Sequence, residues 1–358
     1  MSKKIRVNPC LISTVSIRVF FSMLDALKKI LERLYRKYNH RELIKPDPLQ
    51  FVYRYNSPSD KEIVAFLSAA LAYGRVEQIE KSLSNLFARM GKSPYAFVQG
   101  FDKAKRERLN GFKHRFTTGQ DIADLLTLLK KILSQYGSIQ SFFVEGYNPN
   151  ALCREDPPSF RPKPPLLSSR PPRLSMRVEA AGDRKTWGRS GEIYSNDKNI
   201  IPALTRFCDS LYAIYSKQHS GAVRHPVDKV SRGLKFLLAG PAGGSACKRL
   251  NLFLRWMVRK DDVDLGLWES IDKAKLIVPV DVHIGRLCRI LGLYSRKTVS
   301  LSAAVEITES FAQIEPADPV KFDFALSRIG IIEGCNGKYR AECASCELLA
   351  LCHEKVRH

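Results

Sequence analysis

The feature that most constrains the fold is the spacing of apolar residues, which recur every three or four positions over most of the chain. The first such run follows Met23 and consists of Leu24, Leu27, Leu31, Leu34 and Tyr38. Comparable runs predict helices at about 76–90, 119–136 and 139–146, and again from Asn199 onwards. The alternation typical of strands is almost absent, so the sequence predicts an all-α protein.

One helix start carries an additional signal. In SPSDKEIVAFLSAALAYGR, Ser59 is followed three residues later by Glu62, which is the arrangement of a capping box, and apolar residues at helical spacing come next. We therefore expect a helix that begins at Ser59 and stops near Gly74, because glycine readily takes the left-handed conformation that ends helices.

The net charge of the 358-residue chain is +22, which favours a polyanionic partner such as nucleic acid or an anionic membrane surface. Residues 1–22 and 151–195 carry +4 each, which leaves +14 on the rest of the chain. A basic surface is therefore expected on the folded part.

Composition changes at two places along the chain. Residues 151–195 hold seven of the 19 prolines and no lasting helical periodicity, which predicts a disordered linker or insertion. Residues 1–22 start with basic residues and an apolar run that Arg18 interrupts, so we interpret them as a leader or a misassigned start rather than a signal peptide. The predicted regions between and after these segments are 23–150, 196–334 and 335–358.

No run approaches the roughly twenty apolar residues that a membrane span needs. Since no export signal is evident either, we expect a cytoplasmic protein without a membrane partner. We also expect the protein to act as a monomer.

Four of the nine cysteines are crowded near the C-terminus, in the pattern Cys335-x7-Cys343-x2-Cys346-x5-Cys352. In a reducing compartment such crowding favours a metal site over disulfides. Zinc usually takes its sulfurs from two tight Cys-x2-Cys pairs, and only one pair is tight here. Four thiolates on one compact loop suit a [4Fe–4S] cluster, which is our preferred interpretation, with zinc or four thiols without a ligand as alternatives.

A single carboxylate stands near the start of PVDVHIGRLCRILGL, residues 279–293. Asp281 precedes a helical run that contains Ile284, Leu287 and Leu291, so it is well placed to cap that helix. Capping requires no chemistry, and a catalytic role needs support from other motifs.

Upstream, LLAGPAGGSACKRLNLFLRWMVRKDD contains Gly240, Gly243 and Gly244 around a proline. These residues predict a tight turn between two helices, the second of which begins near Ser245. Backbone N–H groups at such a turn can hold a phosphate without reading a base. An ordinary connection between helices is the alternative.

Three features therefore occur in a fixed order: a hairpin followed by a lysine, then Val-Asp-x-His, then a terminal four-cysteine loop. In this order they resemble the helix-hairpin-helix (HhH-GPD) DNA glycosylase superfamily, in particular the endonuclease III and adenine mismatch glycosylase group, whose motifs read LPGVGRKTAN, VDTH and C-x6-C-x2-C-x5-C. The resemblance covers about residues 233–352. The chain as a whole looks more like a further prokaryotic branch of that superfamily than like either enzyme.

The resemblance implies a two-lobed helical fold and a base-excision repair enzyme that removes a damaged or mismatched base. By position, Asp281 takes the place of the catalytic aspartate, and Lys248 takes that of the Schiff-base lysine that gives some members AP-lyase activity. The hairpin departs from the pattern at Gly243 and Ala246, and the first cysteine gap is one residue longer. Lys248 and Asp281 are 33 positions apart, because the stretch RKDDVDLGLWESIDKAK adds a turn or a helix between them.

Double-stranded DNA with a flipped base is the partner that the resemblance implies. The residues expected to contact it are Gly240, Gly243, Gly244, Ser245, Arg249, His283, Arg286, Arg289, Lys338 and Arg340. Aromatic candidates for stacking on a base are Phe253, Trp256, Trp268 and Tyr294, although their spacing equally fits a core.

Two other functions fit the same sequence. A non-catalytic nucleic-acid-binding protein would keep the hairpin and the cluster for docking. A redox sensor would use the cluster as its functional centre, since redox and structural clusters share the same ligands.

Overall fold

The computed structural model describes residues 14–147, 197–218 and 230–352. Its helices are α1 (Thr14–Tyr38), α2 (Pro58–Ala70), α3 (Val76–Met90), α4 (Pro94–Gln99), α5 (Lys103–Glu107), α6 (Gly119–Tyr136), α7 (Ile139–Tyr147), α8 (Ile201–Gln218), α9 (Arg232–Leu237), α10 (Lys248–Val258), α11 (Val282–Ile290), α12 (Leu301–Ile314) and α13 (Asp323–Ile331). Two short strands, β1 (Lys113–His114) and β2 (Thr117–Thr118), pair antiparallel. Over the described residues the protein is mostly helical, which confirms the predicted all-α class.

Several helices have the bounds that the periodicity predicts. The helices α3 and α6 span the predicted residues, and α7 begins at the predicted position. By contrast, α1 begins at Thr14, so it crosses the boundary that we predicted at 22. The first 13 residues of the predicted leader, and the whole predicted linker at 151–195, lie outside the described residues. None of the helices described combines the length and apolarity needed to cross a bilayer.

The predicted capping box at the start of α2 is wrong. No side chain caps this helix, and Glu62 points elsewhere: its carboxylate accepts hydrogen bonds from the backbone N–H groups of Ile139 and Gln140, both at 2.9 Å. The Trp268 indole Nε1 donates a third bond to it at 3.0 Å. Glu62 therefore caps α7 and ties it to α2, which a local sequence pattern cannot reveal.

The helices pack in two groups. One contains α2, α4, α6, α7 and α8, and the other contains α1, α11, α12 and α13. α10 packs on α2 of the first group, and Arg255 on α10 pairs with Asp323 on α13 of the second. Arg259, directly after α10, pairs with Asp318 in the connection between α12 and α13. Both groups share one continuous apolar core. α10 is therefore the element that joins them.

The two described helices that precede and follow the predicted linker, α7 and α8, pack against each other. The rings of Phe142 and Phe143 on α7 each lie 5.4 Å, centroid to centroid, from the ring of Phe207 on α8. These ring contacts join α7 to α8 within the apolar core.

The long connection between α10 and Asp281 is packed into the protein. The Asp261 Oδ1 closes a turn by accepting two backbone N–H groups at 2.7 and 2.8 Å. Trp268 is buried in the core, and residues 273–275 form a 3-10 turn. The following segment, 276–280, is buried and leads directly to Asp281. The added stretch thus forms turns rather than a further α-helix, and it folds back onto the core.

Candidate active site

The glycine-rich turn precedes α10. Its centre is a 3-10 turn over Pro241–Gly243, and Gly244 follows with φ +73°, a left-handed conformation that glycine adopts without strain. Gly240 lies so close to α8 that a Cβ would be 2.9 Å from the Cys208 Sγ. Around Gly243 and Gly244 the space is open. The predicted tight turn is present, and its open side is accessible to a phosphate.

α10 begins at Lys248, three residues later than predicted. Cys247 precedes it with φ +50°, and its N–H donates to the Ser245 Oγ at 3.1 Å. The Lys248 Nζ donates to the carbonyl oxygen of Ala72 at 3.1 Å. The lysine side chain therefore lies beside the segment that follows α2.

Asp281 is the N-cap of α11, as its position predicts. Its Oδ1 accepts hydrogen bonds from the backbone N–H groups of His283 and Ile284, both at 2.9 Å. Both bonds use the same oxygen, so the cap leaves Oδ2 unused. The half-buried carboxylate is thus fixed through one oxygen and can present the other to a ligand.

Lys248 and Asp281 line the same cavity, which has a volume of about 440 Å³. Its walls are formed by residues 46–48, residues between 72 and 79, one face of α10, residues 279–284, Val299 and one face of α13. This volume lies within the range of about 300–1,000 Å³ that is usual for small-molecule sites. The 33-residue separation does not keep the two side chains apart, because the intervening chain folds back.

His283 also lines this cavity, and α13 holds its position. A Cβ at Gly330 would overlap the His283 ring, so the close approach requires glycine there. The ring Nδ1 is buried and has no hydrogen-bond partner among the described residues. These contacts give His283 a packing role between α11 and α13.

The same cavity is lined by buried charges that sequence reasoning missed. Asp323 is 4% exposed and pairs with Arg255, which also pairs with Asp264 at 3.3 Å. Burial raises the pKa of Asp323 to about 6, although the Arg255 guanidinium opposes this shift. The neighbouring charge of Asp281 raises that pKa further. The wall therefore holds two carboxylates that influence each other.

A signal for this network is present in KRLNLFLRWMVR. Arg255 lies on α10 and Arg259 follows its last residue, four positions further on, and both are buried. Buried arginines need anionic partners. Those partners could not be identified from the sequence, because Asp323 is 68 positions from Arg255 and Asp318 is 59 from Arg259.

Arg249 was expected to bind DNA, but its guanidinium is engaged within the protein. It donates to the carbonyl oxygens of Ala70, at 2.9 Å, and Phe236. It also lies over the rings of Tyr73 and Phe236. Arg249 therefore braces α10 against α2 and α9.

Other residues expected to bind phosphate also have partners in the protein. Arg286 donates to the carbonyl oxygen of Cys335 at 2.9 Å, which joins α11 to the cysteine loop, residues 335–358. Arg289 donates to two backbone carbonyls of the loop after α11, and Arg340 donates to that of Glu333. Lys338 is exposed and, like Arg289, accessible from solvent.

The aromatic candidates for stacking on a base lie in the core. All four are below one-tenth exposed: Phe253, Trp256, Trp268 and Tyr294. They are therefore core residues, which is the alternative that their spacing allowed, and none of them can stack on a base without unfolding its surroundings.

The four predicted metal ligands line one pocket, but among the described residues they do not form a metal-binding arrangement. Cys335, Cys343, Cys346 and Cys352 line one small pocket beside the apolar side chains of Leu287, Ile290 and Ile329. Two 3-10 turns, Ala341–Ser345 and Leu349–Leu351, shape this part of the chain. Leu348 anchors it in the core, whereas the four cysteines stay partly exposed.

The spacing of the sulfurs bears on which metal they could hold. Within the described part of the chain, no three of these sulfurs lie within 4.8 Å of one another. A single zinc ion with Zn–S bonds of about 2.3 Å would hold its ligand sulfurs about 3.8 Å apart. A [4Fe–4S] cluster separates its ligand sulfurs further, because the whole cluster lies between them. The positions of the described sulfurs match no single zinc ion, and the preference for a cluster rests on the sequence pattern.

The fold and the site define a class of protein: helical, with a lysine and an aspartate in one cavity between two groups of helices. The chain belongs to the family described as "Protein of unknown function (DUF2400)", whose model matches residues 47–159 and 183–332. The match contains Lys248 and Asp281, omits 160–182 and ends before the cysteine loop. No curated protein and no solved structure matches the chain significantly.

Proposed function

We propose that the protein is a base-excision DNA glycosylase, which breaks the bond between a damaged or mismatched base and its deoxyribose. One observation carries the proposal: Lys248 and Asp281, the two groups that the resemblance to glycosylases marks, line one cavity. A cavity of this volume can accept a base or sugar that has left the stack. We also propose the two-lobed glycosylase fold, which the two groups of helices on either side of the cavity support.

Asp281 is the proposed electrostatic group. As the bond between the sugar C1′ and the base nitrogen breaks, its electron pair leaves with the base, which takes up a proton, and positive charge builds on the sugar. A fixed carboxylate beside that sugar stabilises the charge. Asp281 is suited to this task because its Oδ1 is held by two N–H groups, so the orientation of its Oδ2 is set in advance.

Lys248 is the proposed nucleophile. Its neutral amine forms a bond to C1′ and loses a proton; the C1′–O4′ bond then breaks with its electron pair going to O4′, which takes up that proton, and a C=N bond and an open sugar remain. Loss of a proton from C2′ expels the 3′ phosphate and cuts the strand. Water hydrolyses the C=N bond and returns the amine. The Nζ must first leave the Ala72 carbonyl oxygen that it contacts.

We propose that the four cysteines bind a [4Fe–4S] cluster with a structural role. When bound, the cluster would hold the cysteine loop in one conformation. Arg286 connects that loop to α11, the helix that Asp281 caps. The chain itself therefore links the proposed cluster site to the proposed catalytic carboxylate through a single helix.

We propose duplex DNA as the partner. The open side of the glycine turn at Gly243 and Gly244 and the exposed side chains of Arg289 and Lys338 supply the proposed phosphate contacts. The net charge of +22 supports an anionic partner.

Borohydride trapping tests the chemistry. The full-length protein is incubated with duplexes that carry a panel of damaged or mismatched bases, and a covalent adduct is expected because hydride reduces the C=N bond to a stable amine. Lys248→Gln should abolish this adduct. Lys260→Gln, at an exposed lysine just beyond the same helix, should leave it unchanged. No adduct and no free base across the panel would refute the proposal.

The bond between Lys248 Nζ and the Ala72 carbonyl favours a second candidate function, in which the lysine is structural and the protein binds nucleic acid without chemistry. Asp281→Asn separates the two functions, since asparagine caps helices as well as aspartate does. A pure binder would keep its salt-dependent affinity in the variant and release no base in either form.

A further inference from the structure

β1 and β2 form a hairpin whose two-residue turn consists of Arg115 and Phe116. Phe116 is 71% exposed, more than any other large apolar side chain that the structure describes. Single exposed apolar residues are common on protein surfaces. Phe116 differs from such residues in the contacts that surround it.

The hairpin is held firmly by buried polar contacts. His114 is fully buried, and its two ring nitrogens lie 2.9 Å from the Ser82 Oγ and 3.1 Å from the Tyr73 carbonyl oxygen. The Tyr73 hydroxyl in turn donates to the His114 carbonyl oxygen at 2.8 Å. Phe116 is therefore presented by an anchored turn.

The turn stands at the rim of the cavity. The Arg115 side chain covers Gly74, where a Cβ would lie 2.6 Å from the Arg115 Cδ. Tyr73 and Gly74 line the cavity together with Lys248 and Asp281. The exposed phenylalanine is thus one residue along the chain from a side chain that contacts the cavity wall.

Phe116 continues a row of aromatic rings. Its ring centroid is 6.2 Å from that of Phe236, which lies 4.9 Å from that of Tyr73. Cations flank the row: Arg115 lies 5.4 Å from the Phe116 centroid, and Arg249 lies 4.6 Å from the Phe236 centroid. An aromatic surface among cations matches a ligand with flat rings and an anionic backbone.

We propose that Phe116 is the wedge of this protein: it enters a DNA duplex beside the target nucleotide, stacks on the exposed neighbouring base and so keeps the target out of the helix. Removing a base from the stack costs free energy, and inserted apolar side chains offset that cost. The inference deepens the proposed glycosylase function and rests on it for the identity of the substrate. Unstacking can nevertheless be measured without any base release.

Fluorescence of 2-aminopurine, which rises when this base is unstacked, tests the wedge. The probe is a duplex with a 2-aminopurine·cytosine mispair, titrated with the full chain. We expect the wild-type protein to raise the emission, and Phe116→Ala to reduce the population of unstacked base by roughly tenfold, since stacking on an aromatic side chain is worth about 1–3 kcal/mol per base. Phe116→Trp should restore the signal. Ile332→Ala, at an apolar residue 50% exposed and outside the cavity wall, should behave like wild type.

The outcomes separate this inference from the proposed function. A rise in 2-aminopurine emission that depends on Phe116, with no base released from any duplex of the lesion panel, would support the wedge and refute the glycosylase chemistry. Binding without a rise in emission, or an equal rise with Phe116→Ala, would refute the wedge even if base release is observed. Absence of duplex binding by the wild-type protein would refute both.

Discussion

The cavity around Asp281 and the cysteine loop lie at the two ends of α11, and they are built differently. The cavity draws its walls from segments that are far apart in the sequence, and buried ion pairs such as Arg255–Asp323 hold some of these segments together. The cysteine loop is one short segment of 3-10 turns whose thiols are partly exposed. Long-range packing fixes the first region, whereas the second depends on local turns.

This difference suggests which region needs a ligand to be ordered. The cavity residues are held by the protein core, so their geometry is set before any substrate binds. The loop is anchored by Leu348, by the Arg286 hydrogen bond and by partly exposed ion pairs of Glu347 with Arg33 and Lys37, so a bound metal would add to its order. The family match follows the same division, because it includes the cavity residues and ends at 332.

The largest effect is expected from Arg255→Met. This change leaves Asp323 without its ion-pair partner and removes one of the two arginines that pair with Asp264, so the free energy of unfolding should fall by about 3 to 5 kcal/mol. Urea denaturation followed by circular dichroism measures it. The matched change Arg286→Met removes only a hydrogen bond to the loop and should cost about 1 kcal/mol. Equal losses from the two variants would disprove the contrast between the regions.

Asp281→Asn should lower the rate of base release by about 10²- to 10³-fold, because it removes the negative charge beside the sugar. The unfolding transition should stay where it is in wild type, since asparagine also caps the helix. Single-turnover assays on the best substrate from the lesion panel give the rate. A variant as active as wild type would remove Asp281 from the mechanism.

The pH dependence of stability tests the buried carboxyl of Asp323. Its pKa is raised to about 6 in the folded protein, so the folded state keeps a proton that the unfolded state has already released. Stability from this group is therefore complete at low pH and falls as the pH rises towards 6, by at most about 1.4 kcal/mol per pH unit. Subtracting the pH profile of Asp323→Asn from that of wild type isolates the effect. A flat difference between pH 4 and 7 would contradict it.

The smallest effect is expected from Cys346→Ser, compared with wild type after both proteins have been stripped of metal. Unfolding of the helical part should change by less than about 1 kcal/mol, because a partly exposed thiol contributes little packing. Metal-loaded wild type should resist proteolysis within 335–352, whereas the variant should be cleaved there. Unfolding of the cavity helices in the variant would show that the two regions are not independent.

The sequence was most informative where one short segment decides the structure. The bounds of α3 and α6 and the capping role of Asp281 follow from local spacing and local hydrogen bonds. The crowding of the cysteines likewise places them around one pocket, since few residues separate them, while the metal site remains a prediction.

Local patterns failed where distant segments compete for the same group. Glu62 has the spacing of a capping residue, yet the N–H groups at the start of α7 and the Trp268 indole offer it buried bonds that its own helix does not. From the sequence, Arg255 and Asp323 could each be suspected of forming an ion pair, but not of pairing with each other. The cavity itself is a product of such pairings, so its shape could not be predicted.

The packing of α7 on α8 has a consequence for how this chain could be divided. Since the two helices hold each other, opening the polypeptide within 160–182 would give fragments that can reassemble through that interface. Neither helix forms part of the cavity wall. The protein thus offers a natural position for a split version, in which activity would return only when both halves are produced together.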